Sequence, residues 1–154
     1  MRLEPLYRAT FATPESWSVQ LSGADGDRGS EAQSFLIAEG RTSGQVSARL
    51  RAANFPRRRV DGVLLPDFHG VLEVDDGAVV MFAWHGITAR PVDGMRRLTG
   101  SLTHLSEDSR YARLNDVLCT LAGEVRARPG GGYQVALDVS ELVWEPLGEG
   151  PVTT

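Results

Sequence analysis

From Val63 to Thr88 the chain alternates apolar and polar residues along two arms that meet at Asp75-Asp76-Gly77. A period of two belongs to strands, and an Asp-Gly step between alternating arms is a strong hairpin signal. A three-residue loop with Gly77 in the left-handed region sets Val74 opposite Ala78. That register places Asp67 opposite His85 and His69 opposite Ala83. Phe68, Leu72, Val74, Val80, Phe82 and Trp84 then share one face, which reads as core. Asp67, His69 and His85 share the other, so two of the three histidines in the chain sit beside a carboxylate. Parity assigns residues to faces and leaves open which face is inside.

Further strand patterns flank this hairpin. Leu3 to Phe11, Trp17 to Leu21, Ser34 to Ala38, Gln45 to Ala52, Arg97 to Leu105, Val117 to Arg128 and Tyr133 to Trp144 all read as strands. Gly40-Arg-Thr-Ser-Gly44 and Pro129-Gly-Gly-Gly132 read as turns, and Ser22 to Glu31, with Gly23, Gly26 and Gly29 among charges, as a flexible loop. Glu107 to Asn115 supplies the one convincing helical turn, capped by Asp108 or Ser109. Many short strands spaced roughly ten residues apart predict an antiparallel barrel or sandwich. Bulky residues on both faces of the two better hairpins favour the closed barrel. The expectation is one all-β domain over residues 1–147 and a frayed tail over 148–154.

Composition removes several functions. The chain has 154 residues, 42% of them apolar, enough for a real core. All 16 basic residues are arginine, which excludes lysine Schiff-base chemistry and a phosphate-loop lysine. A net charge of −4 argues against nucleic acid as a partner; Arg57-Arg58-Arg59, the one basic cluster, reads as a solvated loop or strand end or else as a site for an anion or substrate carboxylate. Cys119 stands alone, so there is neither a disulfide framework nor a cysteine zinc site. The first residues lack the apolar stretch and cleavage site of a signal peptide, and no run reaches membrane-spanning length; a cytoplasmic protein without membrane contact is expected. No serine nucleophile elbow, phosphate fingerprint or His-Glu-x-x-His motif is present, and no cofactor is expected.

Two groups of residues resemble a known family. Arg59-Val-Asp-Gly62, Asp67, Val74-Asp-Asp-Gly-Ala78 and Gly86 resemble the central signature of the domain-of-unknown-function 3237 family, and Arg110-Tyr-Ala-Arg-Leu-Asn115 resembles its second signature, Arg-Tyr-Ala-Trp-Leu-Asn. The likeness runs over about residues 34–143. It departs at Ala52-Ala-Asn-Phe55, where the family has Gly-Gly-Ala-Asp-Trp, at His69 in place of Arg, and at Arg113 in place of Trp. The resemblance implies a small β-barrel akin to lipocalins and allene oxide cyclase, often paired as a homodimer. It implies no particular reaction.

The candidate site follows from the hairpin. Either the Asp67, His69 and His85 group is a satisfied patch on the exterior or a dimer interface, or it faces the lumen. In the lumen Asp67 would orient His85, and an imidazole titrating near neutrality is the usual general acid/base beside a carbonyl. Two histidines and a carboxylate can also hold a metal, but strong metal spacing is absent and no metal is expected. Asn54, Arg59 and Asp61 precede the hairpin. Asp61-Gly62 reads as a turn or as part of the substrate site, in which Arg59, Asn54 and His69 could donate to a ligand oxygen. Tyr111 and Asn115 could add groups from the helical turn, where Asn115 also suits a C-cap. Trp84 reads as core and as a possible wall for the ligand. The function expected is a barrel that binds a partly apolar metabolite. It acts as a cofactor-independent cyclase, isomerase or lyase through Asp67 and His85, or alternatively as a noncatalytic carrier or sensor.

Overall fold

The computed structural model describes residues 1–21, 31–146 and 148. The glycine-rich loop expected at Ser22–Glu31 lies, but for Glu31, outside the described residues, as does the tail beyond Gly148. The strands are β1 (Arg2–Leu21), β2 (Glu31–Gly44), β3 (Ala48–Asn54), β4 (Arg57–Arg58), β5 (Leu64–Leu65), β6 (Asp67–Val74), β7 (Val79–Thr88), β8 (Met95–Leu105), β9 (Cys119–Ala127) and β10 (Tyr133–Val143), with a 3₁₀ helix over Ala112–Asp116. Eight of them close an antiparallel ring in the order β1-β2-β3-β6-β7-β8-β9-β10, and β10 returns to β1. Closure leaves no edge strand in the ring to pair with another chain.

The two-residue strands extend one end of this ring. β3 stops at Asn54 and β6 starts at Asp67, and between them β4 pairs with β2 while β5 pairs with β7. Pro56 and Pro66 mark the two interruptions, because a proline has no N–H to offer a ladder. The end carrying β4 and β5 is called upper here; the Gly77 turn and the 3₁₀ helix lie at the lower end.

The central hairpin has the register its alternation predicts. Asp67 faces His85, His69 faces Ala83, and Val74 N donates to Ala78 O at 2.9 Å. Gly77 takes φ 94°, which favours glycine, and Asp76 Oδ1 accepts from Ala78 N. The second turn follows suit, with Gly130, Gly131 and Gly132 all at positive φ.

Three local expectations are corrected. Residues 3–11 and 17–21 form one strand, because Pro14 is absorbed in a register shift between Ala12 and Glu15. Gly40 to Gly44 is strand and not turn: Thr42 is buried there, its hydroxyl donates to Val46 O, and the reversal comes at residues 45–47. The helical turn begins only at Ala112 and has no side-chain cap; Asp108 instead accepts from the Arg110 backbone N–H.

The lower half of the lumen is packed solid. Leu72, Val80, Val139 and Leu114 are each at most 1% exposed, and burying such a side chain stabilises by roughly 1.5–3 kcal/mol. A short polar chain runs through this core: the Tyr7 hydroxyl meets His104 Nε2 at 2.9 Å, and Cys119 Sγ lies 3.9 Å from His104 Nδ1. Burial holds the His104 pKa down at about 4, raises the Cys119 thiol to about 11 and pushes the Tyr7 phenol above its usual range, so all three groups are neutral near pH 7. Among the described residues no helix is long and apolar enough to cross a membrane.

Candidate functional site: a cavity under the upper rim

A closed barrel has one dry face, and the larger apolar set takes it. Phe68, Leu72, Val80, Phe82 and Trp84 therefore point inward, and the same parity sends Asp67, His69 and His85 out. The three polar groups do meet: Asp67 Oδ1 lies 3.0 Å from His69 Nε2 and 3.4 Å from His85 Nδ1. Their side chains are 43%, 60% and 65% exposed, however, on the outer wall and away from the lumen. The expectation of a lumenal Asp67–His85 pair is corrected accordingly. No cluster among the described residues is placed to hold a metal ion.

The hollow of the barrel lies above the packed half. It measures about 330 Å³, at the lower end of the range for small-molecule pockets. Its floor is aromatic: Phe68 stacks on Trp84 with ring centroids 4.0 Å apart and planes 11° from parallel, and Phe11 meets Phe68 edge-on at 5.7 Å. Leu36, Leu98, Val125 and Val135 line the sides. Between Trp84 and Thr88 the inward position of β7 is Gly86, paired with Gly100 of β8, so two successive wall positions carry no side chain.

The rim is polar. Ser16, Ser18 and Gln20 of β1, Ser34 of β2, Thr88 of β7 and Tyr133 of β10 face the cavity, and the Ser18 and Ser34 hydroxyls bond across the strands at 2.7 Å. Arg58 and Arg96 join them, and among the described residues no lining residue is acidic. Arg96 is half-buried, and its Nη1 donates to Gly62 O at 3.1 Å and to Ala89 O at 3.2 Å.

Two of the residues singled out in the sequence belong to this cavity. Trp84 forms its floor, and Asn54 lines its wall while its amide oxygen accepts from Asp67 N at 3.0 Å, fixing the chain where β6 begins. The others lie elsewhere. Arg59 has outward parity and pairs with Asp61, whose carboxyl it holds below the usual range. Together they shape the turn closed by Gly62, at φ 86°.

Tyr111 and Asn115 are at the opposite end. The Tyr111 hydroxyl donates to Asp76 at 2.5 Å and keeps that carboxyl low, and Arg110 pairs with both Asp76 and Asp108, drawing the Asp108 pKa down to about 2. Asn115 both accepts from Ser106 N and donates to Ser106 O. These residues lock the Gly77 turn to the β8–β9 connection and leave the cavity alone. Arg58, from the basic cluster noted in the sequence, also lines the cavity; the rim residues that were missed had one available signal, since Thr88 shares parity with Trp84.

Among the described residues the fold is thus a closed eight-stranded antiparallel barrel with a hollow at its upper end. No family model and no curated protein matches the chain. Solved structures do resemble it. A β-barrel-like protein from Acinetobacter baumannii is 19% identical with a TM-score of 0.72, over 92% of this chain and 96% of that one. A conserved protein of unknown function from Rhodopseudomonas palustris is 18% identical with a TM-score of 0.69, over 92% and 97%. An enzyme from Penicillium herquei is 15% identical with a TM-score of 0.59, over 90% and 93%. At these identities the likeness is one of fold.

Proposed function

We propose that this protein binds one small, largely apolar organic molecule in the upper half of its barrel. The observation that carries this reading is the 330 Å³ hollow itself, with an aromatic floor and a polar rim directly above a solid core. A lumen filled to the top would have supported a purely structural barrel. The described groups facing the hollow include no carboxylate, imidazole or thiol, so binding has more support here than proton transfer. Kinship with the domain-of-unknown-function 3237 family belongs to the same proposal and rests on the two motifs, which here serve the Gly77 turn and the rim loop.

A second reading is catalytic: a cofactor-independent cyclase or isomerase whose walls fold a flexible substrate into a reactive shape. Asn54 favours it, since a cavity-facing amide can hold an oxygen of the bound molecule. The pair Asp67 and His85 has no part in either version.

The test is calorimetric titration with bicyclic aromatic compounds, on the native chain, Thr88→Phe and His85→Ala. Binding at micromolar concentration, weakened at least tenfold by the phenylalanine that fills the hollow and unchanged by His85→Ala, is the expected result. A folded Thr88→Phe protein that binds as well as the native chain would refute it. Conversion of a bound compound to an isomer would favour the second reading.

A further inference from the structure

The chain as a whole has 20 acidic residues and a net charge of −4, yet the described residues that line the cavity include two arginines and no acid. Field lines converge in a concave site with low-dielectric walls, so a few charges there outweigh a diffuse charge of the other sign on the exterior.

Arg96 is the better defined of the two cations. It rises from β8 opposite Val125, one inward position above Leu98. Its Nη1 donates to both carbonyls that hold it, of Gly62 and Ala89, and no carboxylate pairs with it among the described residues. Backbone carbonyls fix the position of a guanidinium without neutralising it, and the planar fork suits an anionic oxygen. Arg58 enters from β4 with inward parity, on the wall opposite Leu64 of β5. Below these cations the stacked Phe68 and Trp84 rings offer a flat apolar surface, fitted to an aromatic body.

We infer that the ligand is an aromatic acid, its ring system packed against the Phe68–Trp84 stack and its anionic oxygen group held at the rim by Arg96, with Arg58 beside it. This rests on the cavity being the binding site and adds the chemical class of what enters it.

The experiment compares three probes of one shape on the native chain: 2-naphthoate, the neutral 2-naphthamide and the cationic 2-naphthylmethylammonium. One charge-assisted contact is worth about tenfold or more in affinity, so naphthoate should bind at least tenfold tighter than the amide, and the ammonium weakest. Naphthoate binding should weaken as salt rises while amide binding stays level. Arg96→Met should bring naphthoate to the level of the amide, and Arg96→Lys should recover part of the difference. Arg58→Met offers the same test without touching the Gly62 and Ala89 carbonyls. Equal binding of acid and amide overturns this inference and leaves the cavity reading standing. If no probe binds, both fall.

Discussion

Acid should loosen this barrel through one buried imidazole. His104 is 4% exposed, and burial lowers its pKa from 6.5 to about 4. In the unfolded chain the ring takes up a proton as pH falls through about 6.5, while the folded state resists until about 4. The stabilisation is therefore complete above pH 6.5 and is lost as pH falls towards 4. The slope between those limits approaches 1.4 kcal/mol per pH unit for one proton, and 6.5 − 4 gives a loss of about 3 kcal/mol overall. The depressed carboxylates are lost below this window, since Asp108 titrates near 2 against an ordinary 3.8.

Urea unfolding from pH 7.5 to 4.5 measures the slope. His104→Phe leaves the Tyr7 hydroxyl without its partner, so the variant should be about 1–3 kcal/mol less stable at pH 7.5. Its stability should nevertheless depend on pH by about one proton less than that of the native chain. An unchanged slope in His104→Phe would refute the reasoning.

Other outcomes follow from the same geometry. Gly70→Val should destabilise by about 2 kcal/mol or more, because a Cβ there falls 2.5 Å from Phe82 Cζ and 2.6 Å from Arg51 O; thermal melts would show it. Gly77→Ala meets no neighbour within 4 Å but forces φ 94° on a residue with a Cβ, and should cost about 1 kcal/mol by urea midpoint. Tyr111→Phe should reduce stability by less than about 1 kcal/mol and leave 2-naphthoate affinity unchanged in calorimetry, since Tyr111 lies at the far end of the barrel.

Where local chemistry alone decides, the fold is readable from the residues. Asp75-Asp76-Gly77 sets a loop length, the loop length sets the register, and the register brings Asp67 and His85 together as expected. The choice of inside and outside is different in kind, because it is made by closure of the whole ring. Phe68, Phe82 and Trp84 outweigh three polar groups in that choice, although each strand taken singly permits either answer. Gly40 misleads for a related reason: it is a turn residue by propensity, yet it lies in a strand held by β1 on one side and β3 on the other. The cavity draws its lining from strands far apart in the chain, from Phe11 to Val135, and only Asn54, Arg58 and Trp84 stood out beforehand.

The two prolines flanking the rim hairpin give the barrel a seam. Neither Pro56 nor Pro66 can donate an amide hydrogen, and residues 57–65 pair with the wall only through Arg57 and Arg58 on β2 and Leu64 on β7 among the described residues. The shear-bearing ladder of the lower half stops short of them. The strip can therefore change in sequence, and with it what the mouth accepts, while the packed core below goes untouched.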